Sequence, residues 1–182
     1  MSLAGSHGFV HRKGILPWLI RKFTRGHWDH TFVFITDSII MESTLFRGVH
    51  YNNIKKYFGK TVAVTSPQWG SLDVEKHEQV HTEMLFNVYG ILQFVGFLWV
   101  LCFHRQHNPL TDGTVCSEWN WIHATRVWRD SKIESRIFKN NCNPNNLFSY
   151  QEAEWEVLFT TSSLSESNLD VAKAVVAAKE IR

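Results

Sequence analysis

The chain has little with which to staple or anchor itself. Three cysteines in 182 residues, at positions 102, 116 and 142, are too few and too widely spaced for a disulfide framework, so the fold must rest on its core. The N-terminus lacks the charged-then-apolar build of a signal peptide, and a reducing, cytoplasmic setting is the expectation. One stretch, residues 91–103 (ILQFVGFLWVLCF), is apolar enough to raise the question of a membrane. It ends at His104 and Arg105, well short of the roughly 20 residues a spanning helix needs. A buried core helix is the expectation there, with peripheral interfacial contact left open. Net charge is only +2, which argues against a general nucleic-acid binder. No repeat of solenoid period occurs.

What the chain does have is apolar bulk. Hydrophobic residues make up 44% and aromatics 14%, enough for one well-cored domain. Charge is uneven along it. The first 30 residues carry Arg12, Lys13, Arg21, Lys22 and Arg25 against the single acid Asp29. Such a stretch suits an anionic substrate or surface, or is simply a solvated face.

Residues 8–12 suggest a first strand. Pro17 opens a predicted helix that Gly26 ends, because proline fits the first helical turn. Two β-rich runs, TFVFIT (31–36) and IIMES (39–43), flank Asp37-Ser38 and read as a hairpin covered on both faces. Another strand, TVAVT (61–65), stops at Ser66-Pro67. Asp73 begins a helical half in which Val74, His77, His81, Met84, Leu85 and Val88 share one stripe. A break at Gly90 separates that helix from 91–103, and a third helix is predicted over about 115–128. Residues 140–146 (NNCNPNN) read as a turn-rich loop, and 154–160 as a closing strand. From 161 the composition changes to TTSSLSES. The chain therefore divides into a domain over 1–160 and a tail over 161–182, linker followed by helix, with Ser167-Asn-Leu-Asp170 resembling a capping box.

Thiol chemistry needs a thiolate, a base to take its proton, and a polar group to hold that base. Cys116 sits at the mouth of a predicted helix after a glycine-containing loop. There, exposed N–H groups favour a thiolate and can receive an oxyanion. A structural cysteine would occupy the same position as a small hydrophobe. Cys102, inside the apolar run, is expected to be inert packing, and Cys142 to be an exposed loop residue. His30 starts the first strand of the hairpin and Glu42 lies near the end of the second. Strand side chains alternate, so a strict two-residue turn would place them on opposite faces; a three-residue loop or a bulge would bring them together. Asp37-Ser38 lacks the glycine of a tight primed turn, which makes the longer loop reasonable. A buried Glu42 would need a partner, and a histidine serves.

The run WDHTFVFI (28–35) followed by IIMES, with CSEW (116–119) much later, resembles the permuted papain-like cysteine hydrolases of the NlpC/P60 superfamily. The likeness is closest to the YiiX/YebB and poxvirus-related branch. Gly48-Val49, Tyr89, Phe94 and PNNL (144–147) fall where that family has comparable residues, so the likeness is an ordered set of short motifs over about 8–160. The resemblance implies an α+β fold of permuted papain-like type, a small antiparallel sheet packed against helices. It implies Cys116 as nucleophile, His30 as base and Glu42 as the group orienting the imidazole, with neither metal nor other cofactor. Trp28, Asp29, Tyr89 and Ser117 are then the expected substrate contacts. The implied substrate is a peptide, cell-wall or lipid-like acyl compound, and a phage or bacterial origin is consistent with it. Asp29 departs from the family, which usually has a small residue before the histidine. An acid there either raises the pKa of His30 or points outward. The apolar 91–103 segment keeps a lipid substrate, and acyl transfer by the same triad, among the readings.

Two rivals stand beside this one. His77-Glu-Gln-Val-His81 is a literal H-E-x-x-H, with both histidines on one helical face as zinc ligation requires. It lacks the downstream H-x-x-G-x-x-H extension, and no obvious third-ligand helix follows. His104 and His107, at a helix end, and His27 with His30 are further H-x-x-H pairs without a metal-site spacing signature. The second rival is a catalytically inactive binding domain, with Trp119, Trp121 and Trp128 lining a groove rather than filling the core.

Overall fold

The computed structural model describes residues 2–69, 71–87, 115–137 and 142–179. Within them the protein is α+β, built on a six-stranded antiparallel sheet. The strands are β1 (His7–His11), β2 (His30–Phe34), β3 (Ile39–Thr44), β4 (Gly48–Asn53), β5 (Thr61–Ser66) and β6 (Glu156–Thr161). They lie in the order β4-β3-β2-β1-β5-β6. The helices are α1 (Ile15–Thr24), α2 (Val74–Met84), α3 (Cys116–Arg126), α4 (Ser131–Arg136), α5 (Pro144–Glu154) and α6 (Glu166–Lys179), with a short 3-10 turn over Ile54–Tyr57.

Alternation along the strands sorts the core into two layers. On one face Val10, Phe32, Phe34, Ile40, Val62 and Val64 pack with Ile54 and Tyr57 and with Leu169 and Ala172 of α6. On the other, Phe9 and Ala63 pack with Ala124, Leu147 and Trp155, while Val33 and Met41 meet Val80, Trp119 and Ile122. Every residue of β2 is buried, as a strand covered on both faces must be. Gly8 pairs with Phe32 across the β1–β2 ladder, and a Cβ there would fall 2.0 Å from the Phe32 ring. No side chain other than hydrogen fits beneath that ring.

Several expectations give way here. Residues 144–154 are helix: Asn143 caps it by accepting from Asn145 and Asn146, the Asn146 side chain answers to the Asn143 N–H, and Pro144 takes the first turn. The asparagines that suggested a loop are the cap. Val74 is exposed, and Val80, off the proposed stripe, is buried. Cys142 is buried rather than exposed, its thiol against the Ser117 carbonyl. The 161–182 tail is not an appendage as far as the structure describes it. Leu164, Leu169 and Ala172 belong to the same core cluster as Phe32, and the Lys60–Leu164 backbone pairing ties the polar stretch to the sheet. Its cap also lies two residues earlier than expected, where the Ser165 N–H and hydroxyl both donate to Asn168 Oδ1. The stripe residue Val88, the break at Gly90, the 91–103 segment, Cys102, His104 and His107 lie outside the described residues. No helix among the described residues is long and apolar enough to cross a membrane.

The first histidine of H-E-x-x-H, His77, enters a buried polar chain. Thr65 Oγ1 donates to Gln151 Oε1 (2.7 Å), and Gln151 Nε2 meets His7 Nδ1 (2.8 Å). His7 Nε2 meets His123 Nδ1, and His123 Nε2 meets His77 Nδ1, each at 2.9 Å. With the Gln151 amide so assigned, His7 and His123 each accept at one nitrogen and donate from the other, which only neutral rings can do, and the relay ends on Nδ1 of His77. His81 is turned instead to the Tyr51 hydroxyl at 2.6 Å. The zinc reading is not supported by this arrangement: His77 accepts at Nδ1 from His123, so its proton sits on Nε2 and that nitrogen has no lone pair to offer a metal. No cluster of three candidate metal ligands occurs among the described residues.

Burial holds His7 down at about 3 and His77 at about 4, and His123 falls well below its ordinary value for the same reason. These groups bind protons in the unfolded chain at a pH where the folded one excludes them. Their stabilisation is complete above about pH 6.5 and is lost as pH falls. Urea unfolding should show stability declining from pH 7 to pH 5, each such histidine adding up to about 1.4 kcal/mol per pH unit. The raised pKa of His30 acts in the opposite sense, but only above about pH 6.5, where its contribution is lost as pH rises. A flat profile over that interval would mean that the chain is not neutral and buried. In the tail, Leu169→Ala should cost about 2–5 kcal/mol in the same assay; a loss of a few tenths would return 161–179 to the status of an appendage.

Candidate active site

The hairpin resolves the facing problem in favour of the longer loop. Phe32 pairs with Glu42 and Phe34 with Ile40, and the Ile35 N–H donates to the Ile39 carbonyl. Thr36, Asp37 and Ser38 therefore form a three-residue loop, with Thr36 Oγ1 accepting from the Ile39 N–H. In that register His30 and Glu42 share a face as diagonal neighbours. His30 Nε2 lies 2.7 Å from Glu42 Oε2.

Glu42 is fully buried, and its two oxygens collect a set of donors. Oε2 also accepts from the Tyr57 hydroxyl at 2.5 Å, while Oε1 accepts from Asn52 Nδ2 at 3.0 Å and from Lys56 Nζ. His50, directly opposite Glu42 on β4, approaches Oε1 at 3.6 Å. Burial alone would raise the carboxyl pKa; His30 and Lys56 overcome it and hold Glu42 well below the carboxylate range. The same carboxylate, added to burial, drives the Tyr57 phenol far up, so it stays a donor.

With Nε2 committed to Glu42, the hydrogen bond between His30 and Cys116 falls to Nδ1. Cys116 is the first residue of α3, behind an extended Val115, and α3 is pinned to the sheet where Asn120 Nδ2 donates to the Phe32 carbonyl (3.0 Å). The first residue of a strand and the first residue of a helix thus meet at one end of the sheet. They line a cleft of about 210 Å³ with Arg12, Leu16, Thr44 and Phe46. Burial pushes the Cys116 thiol up, but His30, Arg12 and the Thr31 backbone N–H together bring it below its ordinary value. Burial and Arg12 push His30 down, and the sulfur and Glu42 more than restore it, leaving it raised. The pair is thus biased toward thiolate and imidazolium.

Asp29 does not point outward, and its carboxylate is turned to Arg12 and Arg21. It is fully buried and accepts from the Arg12 backbone N–H (2.6 Å), Arg12 Nε (2.7 Å) and Arg21 Nη1 (2.7 Å). Its effect is to hold the Arg12 guanidinium beside the sulfur, charged despite its burial. Of the other expected substrate contacts, Trp28 is buried against Phe9 and Phe148, away from the cleft. Ser117 donates its hydroxyl to the Cys142 carbonyl (2.8 Å) and is structural. Tyr89 lies outside the described residues. Trp119 is fully buried and Trp121 is partly buried against the core, while Trp128, also partly buried, borders a separate recess with Trp69 and Arg129, so the three do not line one groove.

Sequence reasoning missed Arg12, Asn52, Lys56, Tyr57 and the role of Asn145. The Asn145 amide brackets the Trp28 backbone, accepting from its N–H (2.7 Å) and donating to its carbonyl (2.8 Å), and so fixes the approach to His30. A Cβ on Gly26 would fall 2.1 Å from that side chain. One signal was available: a buried carboxylate needs more donors than one imidazole offers, and Asn52 follows His50 by the two residues that keep it on one strand face.

Compared with protein-family models and with curated proteins, the chain matches none.

The labelling behaviour of the thiols follows from this geometry. Iodoacetamide should alkylate Cys116 with an apparent pKa below 9, and Cys142, whose thiol burial drives far up, should stay inert. In His30→Ala the imidazolium is gone while burial remains, so the Cys116 profile should move to higher pH and its rate at pH 7 fall by about tenfold or more. Mass spectrometry of each cysteine across pH reads both. Equal rates at Cys116 and Cys142, indifferent to His30, would show that no thiolate pair exists.

Proposed function

We propose that the protein is a thiol-dependent hydrolase of permuted papain-like, NlpC/P60-type fold that cleaves an amide or ester bond through an acyl-enzyme on Cys116. The observation that carries this reading is the ordered contact from Cys116 to His30 to Glu42, assembled at one end of the sheet with the cysteine at a helix start. The order of the chain, histidine hairpin first and cysteine helix later, is that of the permuted fold.

In the proposed reaction His30 Nδ1 takes the Cys116 proton and the sulfur adds to the substrate carbonyl. The oxyanion so formed faces the N–H groups at the start of α3, near the Arg12 guanidinium. The imidazolium then protonates the leaving amine or alcohol as the tetrahedral intermediate collapses to a thioester. Water, deprotonated by His30, adds to that thioester and returns the thiol and a carboxylic acid. Glu42 keeps the imidazole in the tautomer and orientation that both halves use. Tyr57, Asn52 and Lys56 hold Glu42 and are positioning residues.

The test uses activated acyl esters, because leaving-group chemistry then does not depend on the natural substrate. A p-nitrophenyl acyl ester should leave an acyl adduct on Cys116, seen as added mass, and should turn over. Cys116→Ala should abolish both. Glu42→Gln should slow turnover by about a hundred- to ten-thousandfold while leaving the thiol present. Hydrolysis that survives Cys116→Ala would sink the reading.

A further inference from the structure

The mouth of the Cys116 cleft is made by two segments, α1 and the turn that follows β3. Leu16 and Ile20 of α1 and Leu45 and Phe46 of the turn line it. Both segments also turn large apolar side chains to solvent. Phe46 is 93% exposed, Ile15 80% and Trp18 50%. Single exposed hydrophobics are ordinary; three large ones on the two segments that flank one opening are not. α1 explains its own share: of its ten residues only Ile20 is buried, so the helix spends its other apolar side chains elsewhere than the core.

Charge shows what this face suits. Between residues 12 and 60 there are nine lysines and arginines against three carboxylates, and two of those three, Asp29 and Glu42, are buried. Lys13, Lys22, Arg25 and Arg47 are exposed on the same two segments as the apolar side chains or next to them in the chain. Lys22 Nζ lies 4.8 Å from the Trp18 ring centroid, so a cation and an aromatic share one outward position. Exposed apolar side chains on segments that also carry exposed cations and no exposed acid suit the boundary between acyl chains and anionic headgroups.

We propose that α1 and the 44–47 turn dock the protein on an anionic lipid bilayer, with the mouth of the Cys116 cleft turned toward the lipid. The residues that would carry docking take no part in the thiol chemistry, so the two proposals stand or fall separately.

Sedimentation with phosphatidylcholine vesicles, with and without about one third phosphatidylglycerol, tests it on the full chain. The wild type should pellet with the anionic vesicles at least about tenfold more strongly than with the neutral ones, and should be released by high salt. Ile15→Ser with Trp18→Ser, and separately Lys22→Glu with Arg47→Glu, none of which lines the cleft, should each abolish or sharply reduce binding. Iodoacetamide labelling of Cys116 in each variant confirms that the fold and the thiol are unchanged. Failure of the wild type to bind anionic vesicles, equal binding to neutral ones, or binding that survives both variants would overturn the proposal. The last outcome would point to another part of the chain. A normal labelling profile alongside any of these would leave the Cys116 reading untouched.

Discussion

A carboxylate removed from water costs several kcal/mol unless donors hold it, and Glu42 is fully buried. Much of the architecture around it answers that cost. The three-residue loop after β2 turns His30 to its face, β4 brings Asn52 alongside, and the 3-10 turn over Ile54–Tyr57 delivers Lys56 and Tyr57. Tyr57 serves twice: its ring stacks on Phe32 at 5.3 Å within the core, and its hydroxyl reaches the carboxylate. The polar centre and the apolar layer are therefore one construction, and disturbing the Phe32 layer would disturb the imidazole.

A second buried acid mirrors the first. Asp29 gathers Arg12 and Arg21 as Glu42 gathers Lys56 and Tyr57, and the two acids bracket His30 in the fold. Their consequences differ in sign. Glu42 favours a charged imidazole, while the guanidinium that Asp29 positions disfavours one and favours a thiolate. The sulfur therefore sits between two cationic groups at a helix start, and its ionisation is supported from both sides against burial. Asn145, bracketing the Trp28 backbone, holds the segment that joins these two systems.

The apolar pattern made most of the elements legible. β-rich apolar runs located β2, β3 and β5, and Asp73 marked the start of α2, where its side chain accepts from the Lys76 N–H. The facing of His30 and Glu42 reduced to loop length, and the loop chemistry around Asp37 pointed the right way. Where composition misled, it did so for one reason. Asn143–Asn146 and Ser165–Asn168 are polar because they cap helices, and a cap is indistinguishable in composition from a linker until the helix after it is packed. Cys142, too, lies in a polar stretch yet is buried, because α3 and α5 close over it.

By itself, then, the sequence determined the short-range facts: the β-rich runs, the start of α2, and a cysteine at a helix mouth with a histidine and a glutamate on neighbouring strands. These depend on side-chain chemistry within a few residues of one another. Tertiary structure alone decided the partners. That Lys56 would ion-pair with Glu42, that Asp29 would hold Arg12 beside the sulfur, and that His7, His123 and His77 would line up across 116- and 46-residue separations all depend on which elements dock. Burial converts each of those groups from a solvated side chain into one that must find a partner, and burial is a property of the assembled layers rather than of any local stretch.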